Sequence, residues 1–137
     1  MATTPTYVGT PKVGLAQILP ADTTANKTIV TAGASGSKIT GLTLTSNDSA
    51  AKVVQVSLVR TAVTYILGSV AVPALSGTDG VAAGINVLTN TLIPGIPVDN
   101  DGQAYIYLQS GDTLVAAVTV TLTAAKTISL TATFGDF

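Results

Sequence analysis

From Thr127 to Phe134 the chain alternates without a break. Ile128, Leu130, Ala132 and Phe134 take every second place, with Thr127, Ser129, Thr131 and Thr133 between them. A period of two places each set on its own face of a strand, one dry and one covered in hydroxyls. The same rhythm runs just upstream, where Leu114, Ala116, Val118, Val120 and Leu122 alternate with Val115, Ala117, Thr119, Thr121 and Thr123. Ala124-Ala125-Lys126 is a short connection, so these two segments are expected to form an antiparallel hairpin. Both carry β-branched residues that are stiff at χ1 and fit a pleated sheet better than a helix.

Further strands follow from the same reading. Ala104–Leu108 alternates Tyr105 and Tyr107 with Ile106 and Leu108, between Asp101-Gly102 and Ser110-Gly111-Asp112. Lys52–Arg60 sets Val54, Val56 and Leu58 on one face, and Thr64–Val72 is its expected hairpin partner, stopped by Pro73. Ser37–Ser46 changes phase around Gly41, which predicts a bulge. Lys27–Ala32 and Lys12–Leu19 complete the set. About eight short strands separated by turn residues predict an all-β, antiparallel protein, a sandwich or a barrel. One short helix is expected at most, over Gly80–Ile93, where Val81, Ile85, Leu88 and Leu92 have helical spacing. Pro5 and Pro11 favour extended backbone, so residues 1–12 read as an arm and residues 13–137 as a single domain.

Composition narrows the chemistry. The 137 residues contain no His, Cys or Trp, and every acidic residue is Asp. Imidazole bases, thiol nucleophiles and zinc ribbons are therefore excluded. Charged residues make up only 9% of the chain, against about 25% in an ordinary soluble domain. With 6 basic and 7 acidic residues and no basic run, the electrostatic footprint of a nucleic-acid binder is missing. Mean hydropathy is +0.55, yet Gly, Pro, Ser, Thr and Asn break every apolar stretch before it reaches spanning length. No membrane association is expected. Met-Ala-Thr-Thr-Pro has neither basic nor hydrophobic character, so no secretory signal is expected.

The remaining motifs each have a plain structural reading. Asp99-Asn100-Asp101-Gly102 resembles the start of a calcium loop, making Asp99 and Asp101 the metal candidates, but an EF-hand needs a later bidentate Glu and the chain has none. A turn is the simpler reading. Gly33-Ala34-Ser35-Gly36-Ser37-Lys38 lacks the spacing of a phosphate loop and reads as a hairpin turn. Asn26-Lys27-Thr28 and Asn47-Asp48-Ser49 match the glycosylation sequon, which carries no information without a secretory signal. Tyr105 and Tyr107, with Tyr65 on a neighbouring strand, could offer an aromatic platform to a sugar, but the low aromatic content and the alternation favour ordinary sheet-face packing. No catalytic residue and no cofactor is expected.

The layout as a whole resembles a known group. Thr10–Ile18, Ile29–Ile39, Pro94–Asp99, Tyr105–Leu108, Ser110–Leu114 and the ending Phe134-Gly135-Asp136-Phe137 are together similar to the small virion proteins of tailed bacteriophages encoded among head genes. The resemblance spans almost the whole chain and rests on turns and strand edges. It implies a non-enzymatic, structural subunit on the capsid surface, an antiparallel, jelly-roll-like β-sandwich: a decoration or cement protein, a homo-oligomer and most often a trimer, partnered with the major capsid protein. Thr3, Pro5, Tyr7 and Pro11 are then the expected capsid or oligomer contacts. A tail or fibre module, adhesive or carbohydrate-binding, is the alternative.

Overall fold

The computed structural model describes residues 9–137. Nine strands form two antiparallel sheets: β1 (Thr10–Ile18), β2 (Lys27–Thr31), β3 (Ser37–Ser46), β4 (Lys52–Arg60), β5 (Val63–Val72), β6 (Ile85–Asn86), β7 (Ile106–Leu108), β8 (Thr113–Val118) and β9 (Ile128–Asp136). One sheet runs β1-β9-β3-β6, with β7 also on β3; the other runs β2-β8-β4-β5. β6 and β7 pair with opposite ends of the same strand, β3. Counted as one broken strand, they give the orders 1-8-3-6 and 2-7-4-5, the jelly-roll arrangement. The expected all-β sandwich is what the chain forms.

The two inner faces supply the core. Ile39, Leu42, Leu44, Ile128, Leu130 and Ala132 from one sheet meet Val54, Val56, Val70, Val72, Leu114 and Ala116 from the other, nearly all sealed from solvent. Two glycines let backbones come close at the sides of the sandwich. A Cβ on Gly14 would lie 2.5 Å from the Ile29 carbonyl oxygen, where β1 packs on β2. A Cβ on Gly68 would lie 2.2 Å from the Leu92 carbonyl oxygen, where the segment after β6 lies over β5.

Several elements match expectation. β4 and β5 form the predicted hairpin, closed by Thr61 and Ala62 at φ 50 and 62, the positive values a type I′ turn requires. The predicted bulge in β3 lies between Ile39 and Gly41.

Other expectations fail for identifiable reasons. β8 and β9 do not form a hairpin. β8 ends at Val118 and pairs with β2 and β4, while β9 lies between β1 and β3 in the opposite sheet. The turn at Lys126, where its amide donates to the Thr123 carbonyl, belongs to a crossover. Gly33–Lys38 likewise joins the two sheets and is not a hairpin turn.

No helix forms over Gly80–Ile93. The Asp79 carboxylate accepts the Val81 and Ala82 amides, the Asn86 side chain accepts the Leu88 amide, and Thr89 accepts that of Leu92. Such side-chain bonds give the backbone an alternative to helix. The only helical turn among the described residues is the 3₁₀ turn Pro20–Asp22.

Thr10, Pro11 and Lys12, expected in the arm, pair with β9 as part of β1. Proline is tolerated there because β1 is an edge strand. Phe134 keeps its place on the inner face but is only half-buried. It lies between Lys12 and Ile39 near the end of the sheet, where the core opens.

Candidate functional site

The registers assemble the two outer surfaces residue by residue. On the β1 sheet the outward rows are Pro11–Gly135–Lys38–Tyr107, Val13–Thr133–Gly41, Leu15–Thr131–Thr43–Asn86 and Gln17–Ser129–Thr45. Lys38 is the single charge in that field. Val13 and Leu15 are 63% and 73% exposed, and threonines occupy the middle of the face. The second sheet repeats the design, with rows Ala71–Val53, Ser69–Gln55–Ala117, Ile66–Ser57–Val115–Thr28 and Thr64–Val59–Thr113–Thr31. None of these residues is charged. Val115 and Ala117 are buried yet lie outside the core cluster, covered by their neighbours on this outer face.

Charge is gathered at the strand ends and in the loops, where carboxylates bind backbone amides. The buried Asp48 accepts the amides of Ala50 and Thr123 and the Thr123 hydroxyl, with Lys52 3.9 Å away. Burial alone would raise its pKa, but these donors outweigh it and hold the carboxyl below its usual range. Asp112, also buried, takes both arms of Arg60 at 2.7 and 2.6 Å and the Gln109 amide. Arg60 lowers its pKa against the opposing effect of burial. Asp136 joins Lys12 and the Ser37 hydroxyl, both of which lower its pKa. Asp22 bonds the Leu19 amide and Lys27.

These pairings answer the candidate motifs. In the calcium-like segment, Asp99 Oδ1 accepts the amides of Asp101 and Gln103, and Gly102 turns at φ 83. The Asp99 carboxylate thus shapes a turn, and Asp101 is exposed beside it. No group of three or more acidic side chains converges among the described residues. In the glycine-rich segment, the Gly33 amide donates to Ser37 Oγ, which in turn donates to Asp136. A carboxylate of the chain therefore sits where an anion would have to enter. The Asn47 side-chain oxygen accepts the Thr127 amide and helps hold the crossover before β9.

Tyr105 and Tyr107 meet edge to face with centroids 4.8 Å apart, and Tyr107 reaches Phe137 at 5.8 Å. The Lys38 ammonium lies 4.6 Å from the Tyr105 ring centre. Tyr65, expected beside them, belongs to β5 of the other sheet. Of the expected contact residues, Pro11 is exposed on the edge strand β1, whereas Thr3, Pro5 and Tyr7 lie outside the described residues. Sequence reasoning missed Val13 and Leu15 as exposed residues, although their alternation with Gly14 and Ala16 was the available signal.

No protein-family model matches the chain, and no curated protein matches it in sequence. Among solved structures it is similar to a chain of one described as "Cyanophage Pam1 capsid asymmetric unit", at 14% identity and a TM-score of 0.46, over 100% of this chain and 94% of that one.

Proposed function

We propose that this chain is a structural subunit of a phage virion, a decoration or cement protein. In this reading it attaches to the outside of the head as a homo-oligomer, a trimer, and clamps neighbouring major capsid protein subunits. The observation that carries the reading is the outer surface of the β1 sheet, four threonine-rich rows of uncharged residues with one lysine at the end. A free soluble domain ordinarily displays about 25–35% charged residues on its surface. A face destined for permanent cover does without them, since charges at the centre of an interface must be desolvated. The resemblance of its turns and strand edges to those of small phage head proteins supports the same reading, as does the use of nearly every carboxylate for loop anchoring and not for chemistry.

Attachment would begin with the N-terminal arm. Eight residues precede Gly9, and eight residues drawn out reach at most about 26–29 Å, enough to bring Thr3, Pro5 and Tyr7 onto a neighbour. Main-chain hydrogen bonds to a partner's sheet edge suit such a segment. Binding only to the assembled shell would stabilise it by mass action.

The test is co-sedimentation with heads that lack the protein, combined with light scattering and heat release of the genome. The protein should sediment with heads, have the mass of a trimer, and raise the temperature of genome release. Removing Ala2–Val8 should weaken attachment while leaving the circular dichroism of the sandwich unchanged. A protein that never sediments with heads, or heads equally heat-resistant without it, refutes the cement role. A tail or fibre module is the second reading, favoured by the Tyr105–Tyr107–Phe137 cluster. Stabilisation by a host glycan without head binding would select it.

A further inference from the structure

We infer that the outward edge of β5 at Thr64–Ile66 is a strand-pairing site for a second copy of this chain. β5 closes its sheet on one side and pairs only with β4. Edge strands are normally guarded against pairing by a charge, a proline, a bulge, a covering segment or shortness. β5 has ten residues and neither a charge nor a proline; its bulge at Leu67 and the cover of Gly68 by the Leu92 carbonyl both lie beyond Ile66 and leave Val63–Ile66 open. Its first four residues, Val63 to Ile66, are all exposed, with Val63 at 49%, Tyr65 at 54% and Ile66 at 61%. Among the described residues, no backbone hydrogen bond outside the β4 ladder reaches this stretch.

The turn fixes which groups face outward. A two-residue loop makes Arg60 and Val63 the closing hydrogen-bonded pair, and the pairs then alternate along the hairpin. Val63 and Tyr65 therefore bond β4, while the amides and carbonyls of Thr64 and Ile66 point to the open edge. The arrangement is self-complementary. With two copies antiparallel about a two-fold axis at Tyr65, Thr64 opposes Ile66 of the other copy and Ile66 opposes its Thr64. Each becomes a hydrogen-bonded pair, and the two Tyr65 residues meet as the close, non-hydrogen-bonded pair between them.

The absence of charge is what commits the edge to its own copy. Identical strands meeting head to tail would set any charge near its like, and this strand carries none. Arg60, the nearest charge, is held by Asp112 on the same sheet. A two-fold contact is isologous and cannot close a ring of three, so it joins a copy in one oligomer to a copy in the next. The inference does not depend on attachment to a particle.

Cysteine trapping tests it, because the chain has no cysteine of its own. In the stated register the two Tyr65 Cα atoms are about 4.5 Å apart, within the roughly 4.4–6.8 Å span of a disulfide. The two Val63 residues are about four strand positions apart, roughly 13 Å. Under diamide, Tyr65→Cys should convert mostly to a covalent dimer while Val63→Cys stays uncrosslinked. Equal crosslinking of both, or of neither, overturns the proposal. As a second arm, Thr64→Pro removes one outward amide and leaves the β4 ladder intact. Introduced into Tyr65→Cys, it should abolish most of the crosslink with circular dichroism unchanged. A crosslink undiminished by Thr64→Pro also overturns the proposal.

Discussion

Asp48 shows how a single side chain holds this molecule together. Its carboxylate joins the loop before β4 to Thr123, 75 residues away, and it is sealed from solvent. Asp48→Ala removes the acceptor of the Ala50 and Thr123 amides and of the Thr123 hydroxyl, and each such bond is worth about 0.5–1.5 kcal/mol net, more to a charged group. The expected loss in urea denaturation is therefore about 2 kcal/mol, and a loss below about 0.5 kcal/mol would show that the crossover is held by other contacts. Phe134 behaves differently. It is half-exposed at the last inner row, so Phe134→Ala should cost less than the roughly 3–5 kcal/mol of a sealed core aromatic. Denaturation midpoints of the two variants, measured side by side, check the order. Asp48 was unreadable as an anchor in the sequence because Asn47-Asp48-Ser49 suits any turn, and Thr123 looks like one more strand threonine.

At the scale of elements, the closest backbone approach to any described glycine is the Leu92 carbonyl over Gly68. Gly68→Ala should push the segment after β6 away from β5 and cost about 1–3 kcal/mol, the usual penalty of overpacking. Raised amide exchange from Val87 to Ile96 would report the displacement, and unchanged exchange there would contradict it. Strand identity itself was largely legible, since alternation directly reports a face. Partnership was not. The period-two pattern of Thr113–Thr123 continues past Val118, where the backbone has already left its sheet, and nothing in the pattern says which sheet comes next. The helical spacing of Val81, Ile85, Leu88 and Leu92 misled for a related reason: Val81 is 89% exposed and Ile85 is in a short strand. The local bonds of Asp79, Asn86 and Thr89 decide that segment. The outer faces were readable as threonine-rich, but their lack of charge became visible only once the registers aligned the strands.

For the whole molecule, acid is the expected weakness. Asp22, Asp48, Asp79, Asp112 and Asp136 all have pKa values below the ordinary carboxylate range. The unfolded chain therefore takes up protons first as pH falls. The stability these groups contribute is complete above the unfolded carboxylate value of about 3.9 and is lost as pH drops through their lower folded values. The chain has no histidine or cysteine, the side chains whose ordinary pKa values lie near neutrality. The urea midpoint should stay level from about pH 6 to 8 and collapse only below about pH 4. A steep fall between pH 7 and 5 would contradict this. The strand order also governs how the molecule comes into being. β9 lies between β1 and β3, so the first strand made must wait for the last before its sheet can close. Among the described strands, only β4 and β5 are both consecutive and paired. A nascent subunit thus passes through synthesis with one ready hairpin and an unfinished core, and such long-range closure places folding in the slow, milliseconds-to-seconds class. During that interval the uncharged edge of β5 stands open as a template for other unfinished chains, so crowding the chain during synthesis should divert part of it into aggregates.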